Sequence, residues 1–123
     1  MADQGIFSDY QVHKWLTELN NSWAALHFDN PQVASAYASE VFGGAYSRKQ
    51  MAMTTPSSRS TWNISAISWT GLPQVMLTHV GFWDLQYNGN LIGSAPLAAV
   101  KRILSGGTYA LGAKQLALSF QNL

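Results

Sequence analysis

The stretch from Val75 to Trp83 constrains this chain more than any other. Its nine residues are largely apolar on both alternating faces, 75/77/79/81/83 on one and 76/78/80/82 on the other. Side chains along a strand point alternately to opposite faces. A strand that is apolar both ways is expected to be buried on both sides. Just beyond it, Asn88-Gly89 is the dipeptide that accepts positive φ at both central positions of a hairpin turn. Residues 84–90 should therefore reverse the chain, and Leu91-Ile92 should begin a returning strand.

Other segments carry β signals. The apolar run 23–28, from Trp23 to Phe28, closes at Asp29-Asn30-Pro31 and reads as a buried strand. Residues 45–54 read as a strand of poor alternation, and Thr55-Pro56-Ser57-Ser58 as a loop. Residues 61–65 alternate, as does the segment around Ile67 and Trp69, before a turn expected at Gly71-Leu72-Pro73. Leu116, Leu118 and Phe120 face one way in the final segment 115–120.

Helical signals are fewer. Ser8 and Asp9 are good N-caps, and Val12, Trp15, Leu16 and Leu19 follow the spacing of one apolar helix face, so a helix is expected over 8–20. Residues 32–44 allow a turn or two of helix, ended by Gly43-Gly44. Residues 94–104 are in conflict. Ser94 could cap a helix carrying Leu97, Val100 and Leu104 on one face, and periodicity slightly prefers it. The same letters allow a strand over 100–104 that turns at Gly106-Gly107 into 108–111. With no repeat or linker, residues 1–123 are expected to form one domain, with the helix first and a β-rich body over 60–120.

Composition narrows the function. Only 11% of the 123 residues are charged and the formal net charge is +1, against about 25% charged in an average soluble domain. Capture of nucleic acid, which needs clustered Lys and Arg, is thereby excluded as the main role. The absence of cysteine excludes disulfides, thiolate metal sites and thiol catalysis. No window approaches 18 consecutive apolar residues, so no membrane span is expected, and the opening residues 1–5 do not read as an export signal. Five each of Trp, Tyr and Phe beside so little charge suggest a surface meant to touch protein.

The chemistry-bearing residues form no recognisable constellation. His13, His27 and His79 lie on separate elements without metal-ligand spacing, and read as structural or surface histidines. Asp3, Asp9, Glu18, Asp29, Glu40 and Asp84 contain no paired carboxylate motif and read as solvated or capping groups, Asp84 within its turn. The G-x-S-x-G nucleophile elbow is absent. A hydrolase would need a Ser or carboxylate beside His27 or His79. Arg48-Lys49 and Lys101-Arg102 point to opposite faces if extended, and read as solvated edge charges. Trp15, Trp69 and Trp83 read as packing groups rather than a sugar platform.

The second half carries a likeness. Thr78-His79-Val80-Gly81-Phe82-Trp83-Asp84, then Gly89-Asn90-Leu91-Ile92, then Pro96-Leu97, Ser105-Gly106-Gly107-Thr108-Tyr109 and Leu116-Ala117-Leu118-Ser119 stand in this order. Together they resemble a small virion-protein family of tailed bacteriophages, the minor tail or tail fibre-like proteins. More loosely, Ala25-Leu26-His27, Asn30-Pro31, Glu40-Val41 and Tyr46-Ser47-Arg48 are similar to the family's first half. Thr108 stands where the family usually has Asp, and Asn88 replaces the first hairpin glycine. The resemblance implies that residues 100–104 are extended.

The expectation is a mainly β, antiparallel, sandwich-like domain with an N-terminal α-helix, and a non-enzymatic structural part of a tailed phage virion. The resemblance implies a minor tail or tail fibre-type role, with a capsid-surface decoration or head fibre as the alternative and a host-saccharide module as a further one. Expected partners are copies of itself, with trimers common among such parts, other virion proteins and a host surface, with no cofactor or metal. Val12, Trp15, Leu16 and Leu19 are the candidate assembly contacts. In a saccharide module, loops 84–90 and 55–59 would hold the ligand.

Overall fold

The computed structural model describes residues 8–33, 35–56 and 60–119. Ser8 caps the first helix, α1 (Asp9–Thr17), its hydroxyl accepting from the Gln11 amide at 3.2 Å. The helix stops three residues short of the expected end, and Asn21 adopts a left-handed φ of 68° where the chain turns. Strand β1 (Trp23–His27) follows, then the single-turn helix α2 (Ala36–Ser39). Within 45–54 the expected strand shrinks to β2 (Lys49–Gln50) and an isolated bridge between Met53 and Asn63. Its poor alternation explains why: the segment has no continuous apolar face to bury.

The remaining elements are β3 (Ser60–Trp62), β4 (Ile67–Leu72), β5 (Val75–Trp83), β6 (Leu91–Ile103), β7 (Gly107–Leu111) and β8 (Ala117–Ser119). A four-stranded antiparallel sheet has the order β2-β1-β5-β6, and two antiparallel ribbons pair β3 with β8 and β4 with β7. The fold is therefore mainly β, with antiparallel sheets and an N-terminal helix. Phe120 and loop residues 57–59 lie outside the described residues.

Two strand details differ from expectation, and a third follows the resemblance against the periodicity. Gly71 and Leu72 belong to β4, where the register shifts between Trp69 and Leu72, and the turn comes at Pro73-Gln74. Strand β5 is buried on both faces only from Val80 to Trp83, whereas Met76 is exposed. Residues 94–103 belong to β6, extended as the resemblance implied and not in the helix that periodicity slightly preferred. Its ladder with β5 runs from Leu91 to Ile103, and such pairing outweighs helix preferences of a fraction of a kcal/mol per residue, roughly 0–0.7. The ladder is interrupted where Thr78 alone opposes Leu97, Ala98, Ala99 and Val100. Beyond the turn at Gly106, β7 pairs with β4 rather than returning along β6.

One hydrophobic cluster joins these parts. Val12, Leu16 and Leu19 of the helix and its exit pack with Leu26, Val80 and Phe82 of the four-stranded sheet, and with Trp69 and Leu111 of the β4–β7 ribbon. Trp69 keeps its indole N–H satisfied by donating to the Ser47 carbonyl at 3.0 Å, as a buried Trp must.

Candidate functional site

The loop of residues 84–90 leaves the end of β5 beside α2, and its shape is built from local chemistry. Asn88 and Gly89 have φ of 56° and 79°, the consecutive left-handed pair expected of this dipeptide. Asp84 closes the loop: its Oδ1 accepts the Asn90 amide at 2.7 Å and its Oδ2 accepts Asn90 Nδ2 at 3.2 Å. These hydrogen bonds, the backbone one foremost, hold the Asp84 carboxyl below its ordinary pKa. A Cβ at residue 89 would overlap that carboxylate, so glycine is required twice over.

Arg48 lies beneath the loop and fastens it. Its Nη1 donates to the carbonyls of Leu85 at 2.9 Å and Asn88 at 2.7 Å. The other edge of the guanidinium meets Glu40 in a two-point pair, Nε to Oε2 at 2.9 Å and Nη2 to Oε1 at 2.8 Å. Its Cζ sits 3.9 Å from the centre of the Trp83 ring, a cation–π contact. Among the described residues this is the one ion pair, and both side chains are largely buried. Tyr46 completes the pair by donating to Glu40 Oε2 at 2.6 Å while accepting the Leu26 amide at 3.1 Å. Burial first, then the Glu40 charge, push the Tyr46 phenol far above its ordinary pKa. From α2, Tyr37 tilts against Trp83 and donates to the Gly89 carbonyl.

His27 forms the lowest layer. Its imidazole is parallel to the Trp83 indole within 7°, with centroids 6.2 Å apart. Trp83 Nε1 donates to His27 Nε2 at 3.3 Å, so the proton of the neutral ring is assigned to Nδ1, which donates to Ser39 Oγ at 3.0 Å. Burial lowers the His27 pKa from 6.5 to about 4, with Arg48 and His79 adding to the effect and Glu40 opposing it.

This arrangement revises several expectations. Arg48 is not a solvated edge charge but a buried latch, and Glu40 is its counter-ion. Alternation had placed Arg48 and Lys49 on opposite faces without saying which face was inward. His27 does lie beside a serine, but it donates to Ser39 rather than accepting from it. The Ser39 hydroxyl itself donates to the Ala36 carbonyl at 3.2 Å, and both side chains are buried. That geometry stabilises a fold and offers no activated nucleophile. Trp69 and Trp83 are core groups, as their strands implied. Of the candidate contacts, Val12, Leu16 and Leu19 are buried in this chain's own core, and Trp15 is half-buried.

The loop and latch border an open cleft of about 390 Å³. Its aromatic members are Tyr37, Phe42 and Tyr87, each more than half exposed, and the half-buried Tyr46. Tyr37 and Phe42 carried no sequence signal, since a single-turn helix and the residues after it show no periodicity, and Tyr87 was marked only as part of the 84–90 loop.

Comparison with known families decides the larger question. The family described as podophage GP4 fiber I protein gp80 matches residues 10–119. The chain belongs to this family. It is thus a structural phage protein of a fibre family, a kind that is generally non-enzymatic, and its place is the virion. The match takes in all of α1 but its first residue, every later element through β8, and with them the whole latch from His27 to Asn90. No curated protein matches the chain.

Proposed function

We propose that this chain is a tail fibre-type component that works in multiple copies through protein–protein contacts. The observation that carries the reading is the family match across residues 10–119. Its surface agrees with such a role: Val33, Phe42, Tyr10 and Leu104 are each more than 60% exposed, in a chain with 11% charged residues. Apolar side chains left open in this way are suited to cover by sister subunits or neighbouring virion proteins. Helix α1 fits a contact role through Trp15, held in place by Val12, Leu16 and Leu19 beneath it.

The test is location and assembly. A reconstruction of the virion should place this fold in fibres at the tail, and sedimentation of the purified chain should give a closed oligomer. Density at the head instead would replace the tail reading with a head fibre or capsid decoration. A strict monomer at high concentration, with no fibre density, would remove the assembly reading.

A further inference from the structure

We propose that Asn88 is a site of slow, spontaneous deamidation, and that the Arg48 latch holds it shut. Asn88-Gly89 is the one Asn-Gly pair in the sequence. Asparagine is chemically labile, most of all before glycine, where no side chain shields the next backbone nitrogen. In the reaction the Gly89 nitrogen gives its proton to water or hydroxide and bonds to Asn88 Cγ, and the Cγ–Nδ2 bond breaks to release ammonia. Water then opens the five-membered imide at either carbonyl, leaving aspartate or isoaspartate at position 88. Water is the only co-reactant.

The two residues are open to this chemistry. Asn88 is exposed, and among the described residues neither its side-chain amide nor the Gly89 N–H has a hydrogen-bond partner. What opposes the reaction is backbone geometry. Asn88 has φ of 56°, and a non-glycine residue there is confined to the left-handed region, with ψ of about +30 to +60°. The Gly89 nitrogen then lies nearly opposite Cβ across the Cα–C bond, whereas the ring closes only when the two are eclipsed. Closure therefore takes about half a turn around that bond. Such a rotation swings the Asn88 carbonyl away from Arg48 Nη1, which holds it at 2.7 Å, and pulls the Gly89 carbonyl off the Tyr37 hydroxyl. The latch must open first, and only the loop has to open with it. Isoaspartate makes the main chain one carbon longer between residues 88 and 89, so the loop carbonyls no longer fit Arg48 and the change is one-way. Asn21-Ser22 gives the contrast. Asn21 is also left-handed, at 68°, but the Ser22 N–H donates to the Leu19 carbonyl at 3.1 Å and is not available to attack.

The experiment holds the full chain at mildly alkaline pH, folded and, as reference, unfolded in urea. Peptide mass spectrometry with enzymatic labelling of isoaspartate follows position 88. The folded protein should convert more slowly than the unfolded chain by about tenfold or more. Tyr37→Phe removes one exposed hydroxyl, and should raise the folded rate about two- to tenfold with the urea midpoint unchanged. Arg48→Met should raise it further, and Asn21 should stay unmodified in every folded sample. Amides of residues 85–90 should exchange faster in protein that carries isoaspartate. Equal rates in folded and unfolded chain overturn the proposal, because nothing then holds the site shut. So does an unfolded chain that leaves position 88 intact. An unaltered rate in Tyr37→Phe removes the latch from the account even where Arg48→Met fails to fold. A folded rate that climbs steeply in dilute urea does the same, since the whole chain would then have to unfold.

Discussion

Gly81 lies under the imidazole of His27: a Cβ at residue 81 would stand 2.8 Å from His27 Cδ2, closer still to Nε2, and 3.2 Å from Trp83 Nε1. The glycine is set in the middle of β5, opposite Ala25. It is there because the His27–Trp83 layer occupies the space a side chain would take. Gly81→Ala should therefore destabilise the protein by about 1–3 kcal/mol through overpacking. Strand propensity alone gives the opposite sign, since Ala in an element interior is normally better than Gly by about 0.5–1 kcal/mol. Urea unfolding of the two proteins decides between the signs.

Removing Arg48 should cost far more than a surface charge would. Arg48→Met leaves the Glu40 carboxylate buried with Tyr46 alone, and breaking a buried pair in this way costs about 3–5 kcal/mol. Replacing both partners, Arg48→Met with Glu40→Leu, should recover a large part of that loss. In either variant the amides of residues 85–90 should exchange faster, because the carbonyls of Leu85 and Asn88 lose their donor. A single substitution that costs less than about 1 kcal/mol, the range of exposed pairs, would contradict the latch.

What the sequence disclosed and what it withheld divide along a physical line. The strand 75–83, the positive-φ pair Asn88-Gly89 and the stripe Val12-Trp15-Leu16-Leu19 are local signals that local geometry realised, although burial on both faces of the strand holds only over Val80–Trp83. The latch is not local. Arg48 meets Glu40 eight positions away but also carbonyls some forty residues on, and nothing in either neighbourhood marks the partner. A buried arginine also runs against the average preference for exposure, so composition pointed the wrong way. For residues 94–104 helix periodicity was real but lost to the β5 ladder. Tyr37, Phe42 and Tyr87 had no pattern to find, because chain reversal alone brings them together.

Stability should fall between pH 6.5 and 4 on account of His27. The folded state holds this imidazole neutral down to about pH 4, while the unfolded chain takes up the proton near 6.5. Between those values only the unfolded state gains the proton, so stability is full above 6.5, declines through the window and levels below it. The decline is of order 3 kcal/mol, at about 1.4 kcal/mol per tenfold change in proton affinity. Asp84 adds a loss only at lower pH, because its carboxyl is held below the ordinary 3.8. Urea midpoints at pH 7, 5.5 and 4.5, with ring nitrogen shifts of His27, would check this. An imidazole titrating near 6.5 would refute it.

Asn63 is a second buried clasp, independent of the latch, and its loss should be severe. The side chain is fully buried. Its Nδ2 donates to the carbonyls of Ser65 at 2.9 Å and Gly112 at 3.0 Å, and its Oδ1 accepts the buried Leu116 amide at 2.9 Å. It thereby ties the end of β3 to the segment between β7 and β8. Asn63→Ala leaves these groups without their partner, and each unsatisfied buried group costs about 1–3 kcal/mol, so a loss of about 3 kcal/mol or more is expected. Asn63→Asp keeps the acceptor for Leu116 but loses both donors and buries a charge. Burial raises a carboxyl pKa, so this variant should gain stability relative to Asn63→Ala as pH falls from 7 to 5, whereas a merely steric role for Asn63 would leave that difference independent of pH.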